Sequence, residues 1–485
     1  MARFKSGKFE VLTVEEIEAI HQTAVNVVRE VGMMVQDEDV LRTMKEHGCT
    51  VYGNIVKFPQ PIINSYLEEI REAKEKYKKT EVSRTQELYF NASSQALLAC
   101  DVETNKVRPA TTKDLADLGR VVDGIRSSGF PLGRSHPTFL PQDVPPLTRD
   151  VHVLATIAMS YSFEEGSIVS VYNYKSVPYM KEIGLIIRGS MEEFEKRPCF
   201  HFGTYIISPF KLGEDTFRVG KELRKHGLPF RLSLGNFIVA GATAPITLVG
   251  ALVLQTAENI AAGIISKAIM RELGRYGGNP DVLDMWTGAP ACGSSETLLL
   301  RLATAQIREH YMGFWAPPVG AHVSAHVPGL QAGIEKAIAM LFGFLCGARS
   351  FSALAALGNG DVGSIVQLMI DVEVGNYMRR LLRGINVTED TLAKDVIIKA
   401  GIGASFLGNP HTVKHVRDEM WFPELMDRRN ATEWMSNPKT MLANAREKAK
   451  RLIETAPNRS KLDKDQIREI TKVVERADRE IGGSP

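Results

Sequence analysis

Residues 199–237, CFHFGTYIISPFKLGEDTFRVGKELRKHGLPFRLSLGNF, decide the fold. Two short apolar runs, 199–205 and 230–237, flank a stretch with helical spacing, Glu214–His226. A strand, a helix and a strand of these lengths make a parallel βαβ unit. The same texture extends outward from about residue 110. Further strands are expected at 131–136, 167–173, 313–320 and 349–357. Between them helices are expected at Thr112–Ser127, Ser176–Gly189, Pro245–Met270, Ser295–His310, Gly329–Cys346 and Ser364–Arg383. Such repetition favours a closed sheet over an open one, and predicts an α/β fold of the TIM-type (β/α)8 barrel class over 110–384. Residues 271–277, RELGRYG, make a poor, charged strand, and the eighth strand has no evident place.

The flanks read differently. Residues 1–109 form an N-terminal helical and hairpin extension. Thr13 opens a capping box with Glu16, and Ile17, Ile20, Ala24, Val27 and Val28 follow at helical spacing. A second helix is predicted over Pro61–Lys79, its charged end REAKEKYKK being a solvated helix end. Alternation and turn formers over 88–108 predict a short hairpin. Residues 385–485 form a C-terminal helical segment. Ile467, Ile470, Val473 and Val474 predict a last helix lying on the outside of the barrel or on a partner subunit, so a homo-oligomer is compatible with the sequence.

Composition excludes several classes. The 485 residues are 44% hydrophobic and 24% charged with a formal net charge of +2, ordinary globular usage. Charges of both signs are interspersed, which gives no pull towards nucleic acid or an anionic membrane. The five cysteines, Cys49, Cys100, Cys199, Cys292 and Cys346, are odd in number and never spaced C-x-x-C, the usage of reduced thiols. The N-terminal stretch turns polar before an apolar signal core forms, and no run reaches about 18 uninterrupted apolar residues. Even 246–265 contains Gln255, Glu258 and Asn259. A cytoplasmic location is expected.

In a parallel barrel the C-terminal strand ends and the loops after them form the mouth. That rule gathers His136, Tyr172, Asn173, Tyr174, Tyr205, Asn236, Phe237, His322 and His326, and the loop DVLDMWTGAPACGSSE (281–296) adds Asp284, Trp286 and Glu296. The set is aromatic and polar, with few fixed cations. A trialkylammonium group has no N–H to donate, so it is held by aromatic faces, each worth about 0.5–2 kcal/mol, and by a nearby carboxylate. Tyr172, Tyr205, Phe237 and Trp286 would supply faces, and Glu296 or Asp284 the charge. The plainer alternative, that such aromatics cap the barrel core, holds better for any one of them than for the set.

Other patterns weaken on inspection. His322 and His326 are four apart in AHVSAHVPGLQAG (321–333), which on a helix would suit a metal. The segment precedes Pro328 and Gly329 and reads as loop, where the imidazoles serve as hydrogen-bonding or structural groups. Cys199 and His201 share one face of a strand, and a barrel-interior pair is the plainer reading. No metal site is expected. GDVGS (360–364) and GASFLGNPH (403–411) match neither nucleotide-binding glycine pattern, and no G-x-S-x-G elbow occurs, so a nucleotide-binding protein or a serine hydrolase lacks support.

Six segments then carry a family likeness: SHPTFLPQDVPPLTRD (135–150), ISPFKLGEDTFRV (207–219), AGATAPITLVGALVLQTAE (240–258), DMWTGAPACGSSE (284–296), QAGIEKA (331–337) and FLGNPHTVKHVRDEMWFPELMDRR (406–429). Together they resemble the trimethylamine methyltransferase family, including its subgroup without pyrrolysine, across nearly the whole chain. The resemblance implies a barrel and a corrinoid-dependent methyl transfer. In the archetype trimethylamine is activated beside a pyrrolysine in the loop that here reads AHVSAHVPGLQAG, and this sequence has no such residue. Likeness to the subgroup implies a quaternary amine instead: glycine betaine, giving dimethylglycine, with proline betaine, carnitine or γ-butyrobetaine as alternatives. On that reading Glu296 and His326 are the catalytic candidates, and His136, Tyr172, Tyr205, Phe237, Trp286, His322 and Gln331 bind substrate. No Asp-x-His-x-x-Gly signature is present, so no cofactor is expected to be tightly bound. The methyl acceptor, a Co(I) corrinoid, would arrive on a separate corrinoid-binding protein. A non-catalytic amine-binding barrel is the competing reading, and a zinc-dependent methyltransferase using Cys199 and His201 a third.

Overall fold

Thr13 Oγ1 accepts from the Glu16 amide at 3.3 Å while the Glu16 carboxylate accepts from the Thr13 amide at 2.8 Å, the reciprocal cap that starts helix Val14–Val31. Its buried face, Ile17, Ile20, Ala24, Val25 and Val28, lies along helix Leu248–Met270. These elements belong to a computed structural model that describes residues 9–79, 88–92, 95–133, 139–161, 169–228, 233–271, 273, 277–312 and 319–483. All seven core helices expected from periodicity are present within three residues of their expected bounds. Helix Arg149–Ser160 escapes the pattern because residues all round it are buried, Asp150, Val151, Leu154, Ala155 and Ser160 among them, which leaves no single apolar stripe. One described helix, Leu248–Met270, is long and apolar enough to cross a membrane. It is a core helix here, with Gln255, Glu258 and Asn259 buried along it.

The strands are short and run parallel in two arcs. In one, Leu132 bridges to Phe90, Tyr89–Phe90 pairs with Ser350–Ser352, and that strand pairs with Val319–Gly320. In the other, Val169–Ser170 pairs with Phe200–His201, Gly203–Ile206 with Ser233–Asn236, and Val239–Ala240 with Asp281–Val282. Among the described residues no backbone pairing joins one arc to the other. The architecture is therefore mixed α/β, with parallel strands backed by helices.

One expectation narrows and another needs correction. The short hairpin expected within 88–108 is present as Leu98–Cys100 paired antiparallel with Val107–Pro109, and it leaves out Tyr89–Phe90. Tyr89–Phe90, which the sequence does not mark as a parallel strand, pairs with Ser350–Ser352 and is too short to show a period. The strand sought at 271–277 lies at Asp281–Val282, since Arg271 ends helix Leu248–Met270 in the left-handed region with φ 56°. Asp281 is tolerated in a buried strand because the Arg301 guanidinium meets its carboxylate at 2.6 Å. The segments expected as strands at 131–136 and 313–320 are described only at 131–133 and 319–320.

The flanks wrap this core. Met33–Val35 pairs antiparallel with Ile55–Lys57 and parallel with Lys211–Leu212, tying the N-terminal residues to the loop after Gly203–Ile206. Helix Lys464–Ile481 lies on the chain's own outer helices. Asp478 accepts from Thr148 Oγ1 at 2.5 Å and lies 3.0 Å from His152 Nε2, while Gln466 donates to the Ile186 carbonyl at 2.9 Å. Between the last core helix and these terminal ones, helices Glu389–Leu392, Lys394–Ala400, Pro410–Glu419 and Ala431–Ser436 contain no buried residue.

Candidate functional site

Three strand ends, Asp281–Val282, Val319–Gly320 and Ser350–Ser352, are fixed from below by buried cations. Arg301 donates to the Gly320 carbonyl at 2.8 Å as well as to Asp281, so one guanidinium spans the gap between the two arcs. Lys336 is wholly buried and donates to the carbonyls of Ala321 at 3.1 Å and Ala353 at 2.7 Å, with Asp371 at 3.2 Å. Burial alone pushes Lys336 down and Asp371 up towards their neutral forms, and their mutual attraction opposes both shifts. We read the pair as charged, because the Asp371 carboxylate also accepts from the Ala355 amide and from Gln367, each at 2.7 Å.

Above this platform the three following loops are laced together. Gly293 N donates to Ser324 Oγ at 3.1 Å, Ser324 Oγ donates to Asn359 Oδ1 at 3.2 Å, and the Cys292 amide reaches the same oxygen at 3.3 Å. Gly358 N and Asn359 N donate to the carbonyls of Ala325 and Val323 at 2.7 and 2.8 Å. Inside the lacing sits Glu335, from the first turns of helix Leu330–Leu345. It accepts from the amides of Ser324 at 2.8 Å and Ala325 at 3.4 Å and from Gln331 Nε2 at 2.7 Å, all neutral donors. The Glu335 carboxylate rests against Gly293, where a Cβ would fall well inside van der Waals contact and push it aside. Burial, with the Asp281 charge beside it, holds the Cys292 thiol up at about 12, so no thiolate nucleophile is offered.

The second arc carries an aromatic rim. Asp150 accepts from the amides of Tyr172 at 2.7 Å and Asn173 at 2.8 Å, which fixes the turn after Val169–Ser170. Gln95 donates to the Tyr172 hydroxyl, Tyr205 lies close enough to Tyr172 to influence its ionisation, and the Tyr205 ring covers Gly235. A 310 Å³ cavity opens here, lined by Gln95, Leu147, Asp150, Tyr172 and Asn173 among others. A larger one, 670 Å³, lies between helices Val14–Val31 and Gln60–Lys79 and the far end of Ser295–Met312, on the side away from the strand ends, where this architecture does not place chemistry.

The expected site residues are thus sorted by place. Tyr172 and Tyr205 stand on the same rim, both exposed, and Gln331 meets Glu335. His326 is exposed beside Gly358 in the laced loops. His322 is drawn inward towards Arg301 and Lys336, where burial and those two charges depress it to about 3. It is therefore a neutral imidazole beneath the rim. Glu296 is exposed in the first turn of helix Ser295–Met312, its carboxyl held below the usual range by its own backbone N–H and by Ser295 and Ser294. Phe237 is exposed, and Trp286 is 96% exposed on a turn closed by Asp284, which accepts from the amides of Trp286 and Thr287. Among the described residues no ring contact joins either one to the tyrosines. His136 lies outside the described residues.

Sequence reasoning missed Glu335, Ser324 and Asn359. One signal was available: on the predicted helix Gly329–Cys346, Gln331 and Glu335 are four apart and share a face.

Rims of this kind, polar and aromatic at the C-terminal ends of parallel strands, define an α/β enzyme that handles a small molecule beyond its strand ends. Residues 2–482 match the family described as trimethylamine methyltransferase (MTTB). The trimethylamine methyltransferase MttB of Methanosarcina barkeri (strain Fusaro / DSM 804) is 25% identical, with 97% of this chain and 96% of that one covered. A glycine betaine methyltransferase of Desulfitobacterium hafniense (strain Y51) is 23% identical, over 88% of each. The solved monomethylamine methyltransferase MtmB of Methanosarcina barkeri is 10% identical with a TM-score of 0.43, covering 94% of this chain and 90% of that one. The chain belongs to the trimethylamine methyltransferase family and is a methyltransferase.

Proposed function

We propose that the two arcs complete a TIM-type (β/α)8 barrel, and that its mouth binds a quaternary amine and passes one methyl group to a corrinoid on a separate protein. Glycine betaine is the best-fitting donor, with proline betaine, carnitine and γ-butyrobetaine as alternatives. The observation that carries this reading is Glu335, a carboxylate held by neutral donors at the strand ends. Its negative charge stays available to a cationic substrate, while Tyr172 and Tyr205 offer faces to methyl groups that cannot hydrogen-bond. His326 stands beside Glu335's loop as a group for the substrate carboxylate, and Glu296 adds charge at the rim.

A quaternary nitrogen is already a leaving group. The Co(I) electron pair forms a bond to the methyl carbon, the C–N bond breaks, and its electrons remain on nitrogen, giving the tertiary amine and methyl-Co(III). No proton moves, so the chain's work is orientation and exclusion of water. This suits a loop at 321–333 that carries no pyrrolysine.

The surface also supports a homo-oligomer. Ile385, Ile398, Ile402, Leu407 and Val413 are exposed apolar side chains that a second copy would cover.

The test is a panel of amines with the purified chain, a corrinoid protein and a reductant, followed by the absorbance change from Co(I) to methyl-Co(III). Turnover is expected with glycine betaine or another quaternary amine and not with trimethylamine. Absence of methyl transfer from every quaternary amine would remove the reading, and calorimetric binding without turnover would leave the amine-binding barrel in its place.

A further inference from the structure

The late motif at 406–429 takes no part in either rim, yet it brings two histidines and an aspartate to one point. Helix Pro410–Glu419 starts at Asn409, whose side chain accepts from the His411 amide at 2.9 Å. His411 and His415, four apart, therefore lie on one face, with ring centroids 4.3 Å apart. Facing them is Asp390, on the short helix Glu389–Leu392 that Thr388 caps. Candidate ligand atoms of the three residues all lie within 4.8 Å of one another.

We propose that Asp390, His411 and His415 bind a divalent transition metal ion, zinc by ligand preference, with water in the fourth position. The decisive detail is His415. Its Nε2 is shielded from water and lies 3.1 Å from the Asp390 carboxylate, yet at an angle that makes no hydrogen bond. Two ligands on one tetrahedral zinc, each about 2.0–2.1 Å from the ion, stand roughly 3.3 Å apart and point at the ion, not at each other. The His415–Asp390 geometry is of that kind. His411 Nε2 lies 3.0 Å from the Asp390 carbonyl, and in the loaded site it turns from that oxygen to the ion. Lys414 Nζ lies 2.7 Å from Asp390 Oδ2. His415 faces this same oxygen, so on loading the ion takes Oδ2 and Lys414 turns to the other carboxylate oxygen or to water.

A second observation gives the ion a purpose. None of the four helices between residues 389 and 436 has a buried residue, and the segment is anchored to the core only near its end, at Leu425, among the described residues. A short stretch in that position needs a staple, and a metal is one of the few available. The site joins Glu389–Leu392 to Pro410–Glu419 across 20 intervening residues of sequence. It is distinct from the Cys199 and His201 pair considered above, and it assigns the ion a structural role.

The full-length protein is dialysed against zinc, freed of loose metal by gel filtration and analysed by mass spectrometry for metal content, with Co(II) titration as a second readout. One equivalent per chain is expected, with the intense visible absorption of four-coordinate Co(II), and both are lost in His411→Ala and His415→Gln. A chelator lowers the melting temperature of the parent and leaves that of the variants unchanged. Substoichiometric zinc in the reconstituted parent, or full zinc retention by both variants, overturns the site. Because Asp390 is exposed and His411 and His415 only half-buried, the variants fold, and their circular dichroism verifies it.

Discussion

Lys336→Met removes the ammonium that joins the end of one strand, the end of its neighbour and a helix behind them. In the parent its three donors go to Ala321 O, Ala353 O and Asp371, all inside the protein. Methionine fills most of the volume, so the loss is electrostatic more than steric. Asp371 keeps its bonds from Ala355 N and Gln367 but loses its only counter-charge among the described residues. Breaking one side of a buried pair costs about 3–5 kcal/mol, and of the two carbonyls Ala353 O keeps its bond from the Ala356 amide. Unfolding entropy of about 2.1 cal/mol/K per residue gives roughly 1 kcal/mol/K for 485 residues melting as one unit. The melting temperature should therefore fall by about 3–5 °C, measured by circular dichroism at pH 7.5. Adding Asp371→Leu removes the stranded charge, and the double variant should regain most of the loss, since an apolar pair is often as stable as the ion pair it replaces. A single variant that melts within 1 °C of the parent, or a double variant less stable than the single, would refute a charged pair at this position.

Gly293→Ala tests Glu335 without touching it. The new Cβ forces the carboxylate back by about 1 Å, and a displacement of that size costs up to roughly a hundredfold in turnover. We expect kcat/KM for the amine to fall at least tenfold with little change in melting temperature, and unchanged kinetics would place the substrate elsewhere. His322 supplies a pH dependence. Its folded pKa of about 3 lies below the ordinary 6.5, so the unfolded chain binds the extra proton between those values and stability falls as pH drops through the window. The penalty at pH 5 is about 2 kcal/mol, and His322→Gln should flatten the melting profile between pH 7 and 5; an unchanged profile would show that the imidazole is not held neutral. Light scattering should return a mass at least twice 53.6 kDa at micromolar concentration, and a monomer would mean that Ile385, Ile398 and Ile402 stay open to water.

What could be read from the sequence follows from the range of each interaction. Helices were legible because an amphipathic stripe is a local pattern, and the helix that failed, Arg149–Ser160, is buried too nearly all round to have one. Two-residue strands were legible only inside a longer apolar run, as Val169–Ser170 and Phe200–His201 are, and two that lack one were missed. Tyr89–Phe90 has no period to detect, and it takes its place through Leu132 and through Ser350–Ser352, the latter some 260 residues later. Asp281–Val282 carries a charge that is acceptable only because Arg301, on the following helix, neutralises it. Glu335 was invisible for the same reason. Its meaning comes from Gly293 and Ser324, supplied by two other loops.

Trp286 shows where the strand-end rule stops. It fixes the edge of the sheet on which a residue lies, and it says nothing about direction. The Asp284 turn holds the Trp286 backbone and leaves the indole 96% exposed, while Tyr172, chosen by the same rule, lines the cavity beside Asp150 and accepts a hydrogen bond from Gln95. A cation–aromatic contact gains strength when water is excluded, and a bare indole cannot exclude it. On the proposed reading the corrinoid protein must cover the mouth to bring Co(I) to the methyl group. Whatever covers the mouth is then the natural partner of Trp286 and Phe237, and substituting Trp286 should weaken association with that protein more than it weakens binding of the free amine.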